Sequence, residues 1–331
     1  MFGFSHININ DCKENIFMIE VKNLTKKYGS KKVLDNVSFT VESGEVLGFL
    51  GPNGAGKSTT LNIITGYISS TEGSVTIDGI DIMDDAISYK KKIGYLPEIP
   101  PLYTDMKVWE YLDFVCELKK ADKSCIDTIL EEVKITDVKD YLIRNLSKGY
   151  RQRVGIAQAL IGDPEILILD EPTVGLDPMQ IIDIRGVISE LGKKRTLIIS
   201  SHILSEISAV CSRVLIINKG KIIAEDTPDN LASQLSGQNK FTLRAEGEKE
   251  LIEKALMEVQ GIEKFEYKDG KDNEHEYILL AKNGFDIRKT IFKTLSDAEL
   301  TILMFKAYDV SLEDIFITLT EQAKEESTNE E

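Results

Sequence analysis

The stretch Gly51-Pro52-Asn53-Gly54-Ala55-Gly56-Lys57-Ser58-Thr59 constrains the fold more than any other part of the chain. It follows an apolar run, Val46 to Leu50, that reads as a buried strand, and it precedes a helical pattern from Ser58 to Ile68. The spacing G-x-x-x-x-G-K-[ST] between strand and helix is that of a phosphate-binding loop. Glycines let successive N–H groups turn inward onto phosphate oxygens, and the helix N-terminus adds partial positive charge. Lys57 is placed to reach β- and γ-phosphates, and Ser58 to offer its hydroxyl to Mg²⁺.

A chain of 331 residues is long enough for two domains, and an apolar fraction of 42% supplies a core. The net charge of −15 argues against nucleic acid as a partner. The small basic clusters Lys26-Lys27, Lys31-Lys32 and Lys90-Lys91-Lys92 read as solvated faces. No apolar run approaches the ~20 residues of a spanning helix. The N-terminus lacks the layout of a signal peptide, and patterning begins at Met18, which reads as a natural start after a loose extension, 1–17. Cys12, Cys116, Cys125 and Cys211 form no C-x-x-C pair and read as reduced structural thiols.

Hydrophobic patterning predicts a first domain over 18–225 that mixes strands and helices. Its strands fall at Ile19–Val21, Val37–Val41, Val46–Leu50, Ser74–Ile77, Ile166–Leu169, Thr196–Ser200, Val214–Asn218 and Lys221–Ala224. Its helices fall at Ser58–Ile68, Val108–Lys119, Cys125–Glu132, Ser147–Ile161, Met179–Leu191 and Ser205–Cys211. A compositional shift marks a linker over 226–239. A second unit, 240–320, reads strand–helix–strand–strand–helix–strand and then a last helix, Leu312–Leu319, which predicts a small ferredoxin-like α+β domain. Residues 321–331 form an acidic tail with the composition of a disordered segment.

Ile166-Leu167-Ile168-Leu169-Asp170-Glu171 is an apolar strand ending in two acids, which emerge where open α/β sheets bind ligands. Asp170 is the candidate for holding Mg²⁺, and Glu171 for polarising the attacking water.

Upstream stands Leu146-Ser147-Lys148-Gly149-Tyr150. It resembles the LSGGQ signature of ATP-binding-cassette (ABC) ATPases. The family's order continues in Gly175-Leu176-Asp177-Pro178, similar to the D-loop, and in Ser200-Ser201-His202, similar to the switch histidine. Tyr28, in Lys26-Lys27-Tyr28-Gly29, matches the aromatic that stacks on adenine. The resemblance covers Ile19 to about Glu225 and implies a P-loop NTPase cassette with a helical subdomain. It implies ATP as the nucleotide, held by Gly51 to Thr59 and Tyr28, with Glu171 and His202 catalytic and Ser58, Asp170 and Glu98 near Mg²⁺. It also implies a dimer, in which Ser147, Lys148, Gly149 and Asp177 close on ATP bound by a second subunit.

Two motifs depart from the pattern. The signature carries Lys148 and Tyr150 where glycine and glutamine are usual, and Glu98, in Gly94-Tyr95-Leu96-Pro97-Glu98, stands where the family has the Q-loop glutamine. A carboxylate can approach Mg²⁺ but cannot donate a hydrogen bond as an amide does. Both variants resemble those of bacterial cassettes that energise export permeases, and Ser311-Leu312-Glu313-Asp314-Ile315-Phe316 resembles the C-terminal segment such cassettes carry. The expectation is an ATPase peripheral to the cytoplasmic face of the cell membrane. It would power a separate integral permease that docks near Pro100-Pro101-Leu102-Tyr103. The alternatives are an importer ATPase with a ligand-sensing second domain, a soluble remodeller of nucleic acid or ribosomes, and a non-hydrolysing switch.

Overall fold

The computed structural model describes residues 18–228, 230–231, 239–271, 273–282 and 285–307. The expected extension 1–17, most of the linker, the helix Leu312–Leu319, the segment Ser311–Phe316, the tail 321–331 and Cys12 lie outside the described residues. The chain divides into two compact units, one up to Pro228 and one from Asp229.

In the first unit, β1 (Ile19–Tyr28) and β2 (Lys31–Val41) form a hairpin turned at Gly29, whose φ of 59° suits a residue without Cβ. β3 (Val46–Leu50) runs into the glycine loop and α1 (Lys57–Ile64). Then come β4 (Glu72–Ile77), β5 (Ile80–Asp81), α2 (Ala86–Lys91) and β6 (Ile93–Leu96). A helical segment follows: α3 (Val108–Lys119), α4 (Cys125–Glu132) and α5 (Lys148–Leu160). The unit continues through β7 (Ile166–Asp170), α6 (Pro178–Gly192), β8 (Thr196–Ser201), α7 (Leu204–Ser208), β9 (Arg213–Asn218) and β10 (Lys221–Asp226).

Among the described residues, one sheet has the order β10-β9-β3-β8-β7-β6, parallel except for the β10–β9 pair. β7 and β8 are buried at every position, which is why they read as unbroken apolar runs rather than alternations. An antiparallel sheet, β2-β1-β4-β5, shares its core: Phe39 and Val75 belong to the same buried cluster as Phe49, Leu61 and Ile168. The register sets Asp170 beside Ser200, and Leu50 beside Ser201. The carboxyl ends of β3, β7 and β8 therefore stand abreast, and the glycine loop opens over them.

The helix expected over Ser58–Ile68 stops at Ile64, because Gly66 takes φ 66° and ends it. β5, α2 and β6 escape the sequence reading. α2 starts on an Asp85 cap that accepts from the Ile87 and Ser88 N–H groups, and β6 is a four-residue edge strand. Burial pushes the Cys116 thiol up to about 11 and the Cys211 thiol up to about 12, as structural thiols require.

The second unit runs β11 (Asn239–Glu246), α8 (Lys249–Glu258), β12 (Ile262–Lys271), β13 (Glu274–Ala281), α9 (Arg288–Asp297) and β14 (Thr301–Ala307). Its sheet order is β12-β13-β11-β14 with antiparallel pairings, the ferredoxin-like arrangement. Leu243, Tyr277 and Leu279 pack beneath Ile252, Leu256, Ile291 and Leu295 of the two helices.

Candidate nucleotide site

Gly54 and Gly56 take φ of 79° and 114°, values that a side chain disfavours, and so bend the loop over the start of α1. No side chain caps that helix, so its first N–H groups face the loop as a ready anion site. Gly51 is required for closeness: a Cβ there would collide with the carbonyl of Ile217 on β9. Ala55 is buried, and its carbonyl accepts from Gly220 N–H at 2.8 Å, which ties the loop to the β9–β10 turn.

A cleft of about 330 Å³ opens here, lined by Pro52, Asn53, Gly54, Gly56, Lys57, Ser58 and Thr59 of the loop and helix, with Glu98, Glu171 and His202 opposite. Val33 and Val174 complete its wall. The Lys57 ammonium is buried and donates to Gly51 O at 2.6 Å and Pro52 O at 3.3 Å. It also lies 3.1 Å from Glu171 Oε1, a buried oxygen with no hydrogen-bond partner. Glu171 Oε2 is 2.9 Å from His202 Nδ1; a carboxylate only accepts, so Nδ1 carries the proton in this pair.

Glu171 takes φ 49°, a left-handed conformation unusual outside glycine and worth on the order of 1 kcal/mol of strain. Ser200 holds it there. The Ser200 hydroxyl accepts from Glu171 N–H at 2.8 Å and donates to Asp170 Oδ1 at 2.5 Å, so one buried oxygen fixes both acids. Burial pushes the Asp170 carboxyl above its ordinary value, against the pull of the Ser200 and Ser58 hydroxyls. A second brace is Glu206, whose Oε2 accepts from Thr173 Oγ1 and Ser201 Oγ. The sequence alone gives Ser200, Thr173 and Glu206 no role. The available signal was a hydroxyl doublet at the end of β8, but the β7–β8 register that gives it meaning is a tertiary fact.

Ser58, Glu98 and Glu171 offer hard oxygens on the cleft, and Asp170, buried and outside its lining, is hydrogen-bonded to Ser58. Among the described residues no group of three metal-ligating side chains could hold an ion unaided. That set fits Mg²⁺, which takes one or two carboxylates plus phosphate oxygens and water.

The remaining candidates stand elsewhere in the chain. Tyr28, 53% exposed, lies on the β1–β2 hairpin with the Lys26 ammonium 5.1 Å from its ring centre. Ser147 caps α5, its Oγ accepting from Tyr150 N–H at 3.3 Å. Lys148 packs its ammonium against Gly175, and Gly149 faces Gln180. Asp177 caps α6 by accepting from Gln180 N–H at 2.9 Å. Ser147, Lys148, Gly149 and Asp177 thus gather where α5 meets α6, outside the lining of the cleft. Tyr150 turns back on its own helical segment, donating to Asp137 Oδ2 at 2.8 Å with Arg153 5.4 Å from its ring centre.

Comparison with known proteins agrees with this geometry. Residues 34–174 match the family model described as ABC transporter. The chain is 36% identical over 315 residues to the bacitracin transport ATP-binding protein BcrA of Bacillus licheniformis, covering 91% of this chain and 97% of that one. It is 38% identical over 222 residues to the lipopolysaccharide export system ATP-binding protein LptB of Haemophilus influenzae, covering 65% of this chain and 92% of that one. Among solved structures, the dimeric post-hydrolysis state of the ATP-binding cassette MJ0796 bound to ADP and Pi superposes with a TM-score of 0.58. The pair is 28% identical, over 64% of this chain and 99% of that one. A phosphate loop closed by a buried lysine, two acids at the end of β7 and similarity of nine-tenths of the chain to a transport ATP-binding protein lead to one conclusion: the chain belongs to the ATP-binding subunits of ABC transporters, as an ATP-hydrolysing cassette.

Proposed function

We propose that the chain powers export through a separate integral permease, acting as a dimer at the cytoplasmic face of the cell membrane. The observation that carries the dimer is the separation of two half-sites. The cleft holds the loop, Glu171 and His202, whereas Ser147, Lys148 and Gly149 at the capped start of α5 and Asp177 at the capped start of α6 lie outside its lining. A second copy would bring its Ser147 N-cap and Lys148 ammonium to the γ-phosphate. Export is favoured by similarity to a lipopolysaccharide-export subunit and by the Glu98 and Lys148 variants. Among the described residues no helix is long and apolar enough to cross a membrane, which agrees with a separate permease.

In this reading the loop N–H groups and Lys57 bind the β- and γ-phosphates, and Tyr28 stacks on adenine. Glu171 takes the proton of the attacking water, and His202 orients Glu171 through the 2.9 Å contact. Ser58, Asp170 and Glu98 would hold Mg²⁺, which when bound neutralises charge on the β- and γ-oxygens. The test is Glu171→Gln. Turnover should fall by about 10²–10⁴ with ATP binding kept, and size-exclusion chromatography with ATP should show a stable dimer. A tagged copy incubated with detergent-solubilised native membranes should retain a polytopic protein. Hydrolysis at the parental rate would remove Glu171 as the base; ribosomal or DNA-repair proteins without a membrane partner would remove the transport reading.

A further inference from the structure

The loop that carries Glu98 is Pro97-Glu98-Ile99-Pro100-Pro101, which leaves β6 and crosses to the helical segment. Three of its five residues are proline and offer no N–H, so the loop is tied mainly through carbonyls. Two carbonyl ties flank Glu98, three residues to either side, one on β6 and one in the loop. Tyr95 O accepts from Gln158 Nε2 at 3.1 Å, and Pro101 O accepts from Tyr111 Oη at 3.3 Å. The same Tyr111 hydroxyl lies 3.3 Å from Gln158 Oε1 and shares its one proton between the two acceptors, so Gln158 on α5 and Tyr111 on α3 form one clamp around the loop.

A second, independent observation concerns glycine. A Cβ on Gly155 would come within 2.6 Å of Leu96 Cδ1 and 2.9 Å of Pro100, and a Cβ on Gly94 would collide with the Ala159 carbonyl. On both sides of Gln158, α5 and the β6 segment approach at a distance that only glycine allows. The other end of α5 is Ser147. A continuous 13-residue helix is stiff over its length of about 20 Å.

We infer that Gln158, together with Tyr111, is a positioning residue for nucleotide hydrolysis: it holds the Glu98 carboxylate in place for the metal and joins that loop to the signature helix. The inference rests on the reading that Glu98 meets Mg²⁺. Gln158 touches neither nucleotide nor metal in this scheme and acts only through the loop.

The experiment is a double-mutant cycle in the full chain carrying Glu171→Gln, so that ATP is retained. The probe is Mn²⁺, and its affinity in the presence of saturating ATP is read by electron paramagnetic resonance; ATP affinity without metal is measured alongside. Glu98→Ala should weaken Mn²⁺ by about tenfold or more, and Gln158→Leu by about tenfold, the lower end of the range for residues that orient a metal ligand. The double variant should bind no more weakly than Glu98→Ala alone, because the two changes remove the same interaction. Metal-free ATP affinity should stay within about twofold throughout, an outcome that general destabilisation would not produce. Tyr111→Phe, which removes a single hydroxyl, should shift Mn²⁺ in the same direction and serves if Gln158→Leu fails to fold. The inference is overturned if Gln158→Leu and Tyr111→Phe leave Mn²⁺ binding unchanged, or if their effects add in full to that of Glu98→Ala. An unchanged Mn²⁺ affinity in Glu98→Ala alone would instead remove the metal role of Glu98, and the inference with it.

Discussion

Ser200 shows how much one buried side chain can decide. Its oxygen is donor to Asp170 and acceptor for the strained Glu171 N–H, so removing it loosens both acids at once. Ser200→Ala leaves that N–H without its partner, a cost of about 1–3 kcal/mol in a buried setting. The expected result is a fall in kcat of about tenfold with KM for ATP changed by less than about twofold. Steady-state kinetics decide it, and an unchanged kcat would mean that Glu171 keeps its orientation from His202 alone. The pair of acids was legible in the sequence because an apolar strand ending in Asp-Glu has few meanings beside a phosphate loop. Their brace was not legible, because Ser200 meets Asp170 only through strand pairing across 30 positions of sequence.

At the level of elements, unbroken apolar runs and helical periodicity were readable, whereas β1 and β2 extend well past the expected Ile19–Val21 and Val37–Val41, to Ile19–Tyr28 and Lys31–Val41. α3 and α4 fall at Val108–Lys119 and Cys125–Glu132, where the periodicity predicts them, and β3 falls at Val46–Leu50. β6 is four residues long and contains Gly94, so it offers too little pattern to read, and its identity as a strand comes from pairing with β7. That glycine is itself the reason β6 can lie against α5. Gly94→Ala would drive a methyl into the Ala159 carbonyl, which is backbone and cannot rotate away. Overpacking of this kind costs about 1–3 kcal/mol, so the thermal midpoint of the first unit should fall by about 2–10 °C. Thermal unfolding followed by circular dichroism would measure it. No loss would mean that α5 has room to move outward, and the closeness at Gly155 would then carry no constraint either.

Among the described residues each unit has a buried core of its own: the first unit's includes a cluster built on the parallel sheet with α1, and the second's lies on the ferredoxin-like sheet with α8 and α9. The second unit was legible as an order of elements because its turns and alternations are local. Its purpose was not, since nothing in its residues repeats the nucleotide chemistry of the first. Two cores of unlike size need not melt together, and multi-domain chains commonly depart from a single transition. Calorimetry of the full chain should therefore resolve two transitions. Only one has a nucleotide site, so in Glu171→Gln, ATP with Mg²⁺ at about 100 times its Kd should stabilise that unit alone by about 2.7 kcal/mol. This corresponds to an upward shift of about 5–10 °C for a unit of this size. The second transition should stay where it is. Were both transitions to rise together, the second unit would have to recognise the ATP-bound state of the first, and its role would lie in the nucleotide cycle rather than beside it.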